Sequence, residues 1–155
     1  MDYRNQLNKI NESHFLISMT PVDGILEIGL FSGMNNSSTV LDLCCGYGEM
    51  LKIWNEAFGI QGIGIDICSE FIQKGRKRLV EHGITDVTLI ESDIFKWDSN
   101  ERYDYVCLSG EEFGGLQNTI LLLEKFVKPR GKLIIGTRFS KVENPPQELI
   151  DFEGE

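Results

Sequence analysis

Five short apolar runs recur along this chain, at residues 39–43, 62–67, 87–91, 103–108 and 132–137, with helical patterns between them. Near-continuous apolar runs suit parallel strands covered on both faces. Leu51, Trp54 and Phe58 fall at i, i+3 and i+7, and Gly59 follows as a stop. A second helix is expected over 70–82, with Ser69 as N-cap, Phe71, Gly75 and Leu79 on one stripe and Gly83 at its end. A third is expected over 117–127, with Ile120, Leu123 and Val127 inward, stopping ahead of Pro129. Strand and helix in this rhythm predict an α/β fold, a doubly wound parallel sheet with right-handed crossovers. With 155 residues, one domain is expected, without repeats or low-complexity linkers. Residues 1–38 are expected to form two short helices ahead of the sheet, with a turn at 34–38.

In such a sheet, ligands sit beyond the carboxyl ends of the strands, where the strand order reverses. The residues to read are therefore 44–48, 66–68, 92–95 and 109–113. The first run, TVLDLCCGYGEM (39–50), brings Asp42 to a turn containing Gly46 and Gly48. Glycine tolerates φ > 0 and has no Cβ, so backbone there can come close to a nucleotide-like ligand. Asp66 ends the next run, and an acid about 20 residues past a glycine turn is placed to accept hydrogen bonds from ribose hydroxyls.

Fifteen basic against 24 acidic residues give a net charge of −9, which argues against a phosphate backbone as partner. Lys74, Arg76, Lys77 and Arg78 cluster, and read first as a solvated helix face. Cys44, Cys45, Cys68 and Cys107 show no C-x-x-C pair and no metal-ligand spacing, so no metal is expected. They read as small apolar residues in a reducing, cytoplasmic compartment, Cys44 and Cys45 at the edge of the core and not as nucleophiles. The first thirteen residues lack an apolar h-region and no stretch approaches transmembrane length, so no membrane is expected.

The strand ends together resemble class I S-adenosylmethionine-dependent methyltransferases, over roughly residues 10–150. Asp42-Leu43-Cys44-Cys45-Gly46-Tyr47-Gly48 is similar to that family's first motif, with Cys44 where the first glycine usually stands. Asp66, followed by Ile67, matches the acid that binds the cofactor's ribose. Ser92-Asp93-Ile94 matches the segment where an acid holds the adenine amino group beside an apolar neighbour. The stretch 116–136, ending in FVKPRGKLIIG, resembles the family's helix, Pro-Gly turn and fifth strand. The resemblance implies S-adenosyl-L-methionine as cofactor, held by Asp42, Cys44, Gly46, Gly48, Asp66, Ile67, Asp93, Ile94 and Ser109. The transferred methyl is already activated by its sulfonium, so alignment and water exclusion matter more than a general base.

The fourth run leads into a loop that in this family faces the methyl group, making Glu111 and Glu112 candidates to orient an acceptor or take a proton. Two solvated acids at a helix start are an equal alternative. His14 belongs to an N-terminal segment, Asn11 to Phe15, resembling one that folds over the cofactor in some bacterial small-molecule methyltransferases. No Asn-Pro-Pro-Tyr segment of amino-methylating DNA enzymes is present, so a small-molecule acceptor is expected, with no nucleic acid.

The implied division is an N-terminal helical segment at 1–38, a cofactor-binding domain at 39–140 and a tail at 141–155 with one base and five acids. The family sheet usually ends in an antiparallel hairpin beside the fifth strand, which is not evident here. Either further chain or a homodimer would then cover the fifth-strand edge. Two other functions stay open: a non-catalytic cofactor-binding module or remnant, and a nicotinamide-dependent oxidoreductase. Against the latter, Leu51 stands where a dinucleotide fingerprint wants a third small residue, and Asp93 has no role.

Overall fold

The computed structural model describes residues 20–111 and 113–137. Helix α1 (Val22–Ser32) leads into β1 (Thr39–Leu43), α2 (Glu49–Phe58), β2 (Gln61–Asp66), α3 (Ser69–Glu81), β3 (Val87–Glu91), β4 (Tyr103–Ser109), α4 (Leu116–Glu124) and β5 (Val127–Gly136). The five strands form one parallel sheet in the order β3-β2-β1-β4-β5. The expected doubly wound sheet is present, and its order reverses between β1 and β4.

Alternation along β1 shows how both faces are covered. Val40 packs among Ile25, Leu51, Trp54 and Ile72 from α1, α2 and α3, whereas Leu41 and Leu43 pack among Leu122 and Leu123 from α4. The Trp54 indole donates to the Ile25 carbonyl at 2.7 Å, which pins α1 onto α2 while satisfying a buried N–H. At the other end of α1, the Tyr105 hydroxyl at 2.9 Å and the Lys132 ammonium at 2.6 Å both donate to the Ser32 carbonyl. A helix C-terminus favours such donors. On the edge strand β3, the Arg76 guanidinium donates twice to the Leu89 carbonyl, at 2.9 and 2.7 Å. The edge is blunted there against strand addition.

Several boundaries differ from expectation. Helix α4 ends at Glu124, and Val127 belongs to β5, because the Phe126 N–H turns back to Leu123 and Val127 pairs with Tyr103. The inward residues of α4 are Thr119, Leu122 and Leu123, not Ile120 and Val127. Strand β5 starts before residue 132, since a register shift between Tyr103 and Tyr105 accommodates a turn in which Arg130 has φ 68°. Ile67 lies beyond β2 and is 72% exposed. Ser69 opens α3 instead of capping it, and its hydroxyl accepts from Gln73 at 3.0 Å. Ile72, not Phe71, faces the core with Gly75 and Leu79, while the Phe71 ring packs on Tyr47 at 4.7 Å between centroids. The first of the two expected N-terminal helices and the tail at 141–155 lie outside the described residues.

One leucine draws three elements together. A Cβ on Gly48, Gly64 or Gly75 would come within 2.6, 2.7 or 2.6 Å of a Leu89 methyl, and the one on Gly75 would also strike the Tyr47 carbonyl. The loop after β1 thus packs on α3 because these positions carry no side chain. Gly75→Ala is expected to cost about 1–3 kcal/mol through overpacking, although alanine in an open helix gains roughly 1 kcal/mol over glycine. Urea unfolding reads the sign: a stabilised variant would show that this contact is not tight.

Candidate functional site

The loop after β1 holds Cys44, Gly46 and Gly48 in left-handed conformation, at φ 59°, 57° and 73°. The non-glycine position costs on the order of 1 kcal/mol, so the fold tolerates strain at Cys44. Gly48 begins α2, and its N–H bonds to the Cys45 carbonyl at 2.9 Å. Asp66, 8% exposed, holds this loop from β2: one carboxylate oxygen accepts from the Gly46 N–H at 2.8 Å, and the other from the Cys68 N–H at 2.8 Å. A carboxylate oxygen has a second acceptor direction, so Asp66 retains capacity toward a ligand.

Asp42 is 3% exposed, between Gly64 and Cys107 in the sheet register. It makes no hydrogen bond or ion pair among the described residues. No sealed side-chain polar atom there lacks a partner, so the Asp42 oxygens are not completely closed off from solvent. Burial, and after it the Asp66 charge, pushes this carboxyl up to about 7. Burial first, then Asp66, Glu111 and Asp42, pushes the Cys44 thiol up to about 12. Cys45 and Cys107 are also raised, chiefly by burial. These thiols stay protonated at neutral pH, and all four cysteines are free, which suits packing and not nucleophilic work.

The other strand ends divide. Asp93 lies at the end of β3, where its carboxylate accepts from the Phe95 N–H at 2.9 Å and meets the Lys96 ammonium at 3.5 Å. Ile94 turns into the core at 6% exposure, so its side chain is no free wall for a ligand. The apolar groups open to solvent at this level are Ile67 at 72% and Phe95 at 64%. Phe95 meets Phe113 edge-to-face at 5.1 Å. Both rings were overlooked in the sequence; their signal was an aromatic residue within each window that follows a strand. Ser109 pairs with Gly136, and its hydroxyl lies where a Gly136 side chain would stand. Glu111 is exposed, without a hydrogen bond or ion pair among the described residues. His14 and Glu112 lie outside those residues.

Behind the loop is an ion-pair network that the sequence did not reveal. Arg78 donates to both oxygens of Glu49 at 2.8 and 3.2 Å, and Lys52 lies 3.4 Å from Glu49 and 3.0 Å from Glu56. Lys74 pairs with Glu70 at 2.7 Å and Lys77 with Glu81 at 3.8 Å. With Arg76 on Leu89, every member of the basic cluster is engaged within the fold.

The Asp42 shift has a consequence for stability. Its folded value lies above its ordinary value of 3.8, so its contribution is complete below about pH 4 and is lost as pH rises through about 7. Asp42→Asn is expected to remove that loss, which grows by about 1.4 kcal/mol per unit of displacement. Denaturant unfolding of both ligand-free proteins across this window checks it, parallel profiles counting against the buried, unpaired carboxyl.

The profile of a family described as "Methyltransferase domain" matches residues 34–151. The uncharacterized protein YjhP of Escherichia coli is 34% identical over 112 residues, covering 70% of this chain and 45% of that protein. A ubiquinone/menaquinone biosynthesis C-methyltransferase of Hydrogenovibrio crunogenus is 32% identical over 124 residues, covering 74% and 47%. A crystal structure of a SAM-dependent methyltransferase from Geobacter sulfurreducens, in complex with S-adenosyl-L-homocysteine, superposes with TM-score 0.83 at 27% identity, covering 91% of this chain and 58% of that one. The chain spans about half the length of the curated relatives it matches. A glycine loop held by Asp66, on a parallel sheet of this order and with these relatives, means that the chain belongs to the methyltransferase-domain family.

Proposed function

We propose that this chain binds S-adenosyl-L-methionine at the loop after β1 and serves methyl transfer to a small molecule. The observation that carries the reading is a buried Asp42 carboxyl beside Asp66, with no cation paired to either among the described residues. Such a field opposes the anionic pyrophosphate of a dinucleotide and favours a ligand bearing ammonium and sulfonium charge. When bound, the cofactor supplies a methyl group on a sulfonium sulfur.

In this reading the backbone at Cys44, Gly46 and Gly48 admits the amino-acid tail, and Asp42 lies beneath its positive charge. Asp66 offers its remaining acceptor capacity to the ribose, and Asp93 accepts from the adenine amino group. Ile67 and Phe95 flank the ring, while the buried Ile94 supports the turn that carries Phe95. Residues 39–140 form the binding domain, with 1–38 and 141–155 as accessory segments. The acidic balance and the engaged basic cluster support a small acceptor over nucleic acid. No described helix is long and apolar enough to cross a membrane, and the free cysteines support a cytoplasmic setting.

Calorimetry with adenosylhomocysteine and NAD side by side tests the cofactor: binding of the first alone is expected, and binding of NAD alone would sink the reading. Asp66→Asn is expected to weaken adenosylhomocysteine about tenfold or more, the size of a lost hydrogen bond to a charged acceptor. A second reading is a binding module without turnover. Cofactor affinity without methylation of any acceptor would select it. A homodimer could also cover the β5 edge, since β5 ends the described sheet and pairs there with β4 alone. Light scattering should then give twice the monomer mass, and a clean monomer removes the dimer.

A further inference from the structure

We infer that the Glu49–Arg78 ion pair positions the cofactor's carboxylate by keeping the start of α2 free to receive it; this rests on the S-adenosyl-L-methionine reading of the same loop. Glu49 is joined directly to Gly48, whose left-handed backbone at φ 73° completes the turn after β1. No side chain caps α2, and its first helical bond runs from the Lys52 N–H to the Gly48 carbonyl at 3.0 Å. The N–H groups of Glu49, Met50 and Leu51 make no hydrogen bond among the described residues, and all three residues are buried. An acid in the first turn of a helix is the nearest group able to occupy such donors. Glu49 does not. Its carboxylate accepts from Arg78 of α3 at 2.8 and 3.2 Å, with the Lys52 ammonium at 3.4 Å. Lys52 is shared with Glu56 at 3.0 Å, so the Arg78 fork supplies the larger part of the neutralisation. Glu49 is 7% exposed and Lys52 6%, which shields the pair from solvent. Arg78 stands three residues past Gly75, where α3 lies against the Tyr47 carbonyl of the turn.

The cofactor's amino-acid tail is a zwitterion, and its two charges need different surroundings. Asp42 and Asp66 suit the ammonium and repel the carboxylate. Buried N–H groups at the positive end of a helix suit the carboxylate. Without Arg78, Glu49 would be a buried acid stripped of its main partner, beside donors that have none. Turning onto them would relieve the uncompensated charge. Glu49 would then stand where the ligand's carboxylate binds, as a competitor of like charge within the same chain. Arg78 thus sets the affinity for one group of the ligand without touching it, which makes it a positioning residue.

Calorimetry with two ligands separates this role from general support of the loop. Decarboxylated adenosylhomocysteine keeps the adenosine, the thioether and the ammonium of adenosylhomocysteine and lacks only the carboxylate. Arg78→Met is expected to weaken adenosylhomocysteine about tenfold, the order of one hydrogen bond to a charged group. The decarboxylated ligand is expected to stay within about twofold of its affinity for the unaltered protein. Adding Glu49→Gln to Arg78→Met is expected to restore most of the lost affinity, because a neutral amide is a weaker competitor. Arg78→Lys, which keeps the charge and loses the fork, is expected to show a smaller loss of the same kind, and it takes over the contrast should Arg78→Met not fold. Equal weakening of both ligands, undiminished adenosylhomocysteine binding in Arg78→Met, or a double variant without recovery would overturn the inference. Failure of adenosylhomocysteine to bind the unaltered protein would instead bring down the cofactor reading itself.

Discussion

The Asp66 carboxylate joins the two loops on which the site depends. One oxygen holds the amide of Gly46 and the other that of Cys68, both at 2.8 Å, so the turn after β1 and the entry to α3 share one anchor. Hydrogen bonds to an ionised acceptor are worth more than neutral ones. Burial first, and after it the charge of the same carboxylate, raises the neighbouring Asp42. Asp66 thus contributes both to loop geometry and to crevice charge.

Packing completes what that anchor begins. Gly48, Gly64 and Gly75 each leave room for Leu89, and a side chain at any of them would meet its methyl groups. Loop, sheet and α3 therefore approach more closely than ordinary residues permit. Arg78 on Glu49 closes the arrangement from behind, linking α3 to the first turn of α2 at 2.8 Å. Breaking a largely buried pair of this kind by removing one partner is costly, which makes it a support of the loop from outside the crevice.

Legibility followed the range of each interaction. The strand runs were visible because a sheet covered on both faces needs apolar residues at consecutive positions. The turn was visible because left-handed backbone needs glycine, and even Cys44 sits at φ 59° where a glycine was expected. Ser69 misled because the helix starts one residue earlier: Cys68 stands at the cap position, and its carbonyl accepts the first helical bond from the Ile72 N–H at 3.2 Å. Val127 misled because an apolar residue after a helical stripe serves helix or strand equally well, and pairing with Tyr103 decided between them. The Phe95–Phe113 contact had no local signature, since it joins loops from strands that are not neighbours in the sheet.

The amino-acid sequence by itself determined the α/β class, the place of the glycine turn and the acids that surround it. Each of these rests on local periodicity or on the conformational needs of single residues. Only the tertiary structure decided that Asp42 is buried without a partner, that Asp66 spends a bond on each of two loops, and that Ile94 turns inward while Phe95 turns out. Those outcomes depend on burial and on contacts between distant segments. Dielectric environment and close packing are properties of the assembled sheet, and no stretch of chain carries them alone.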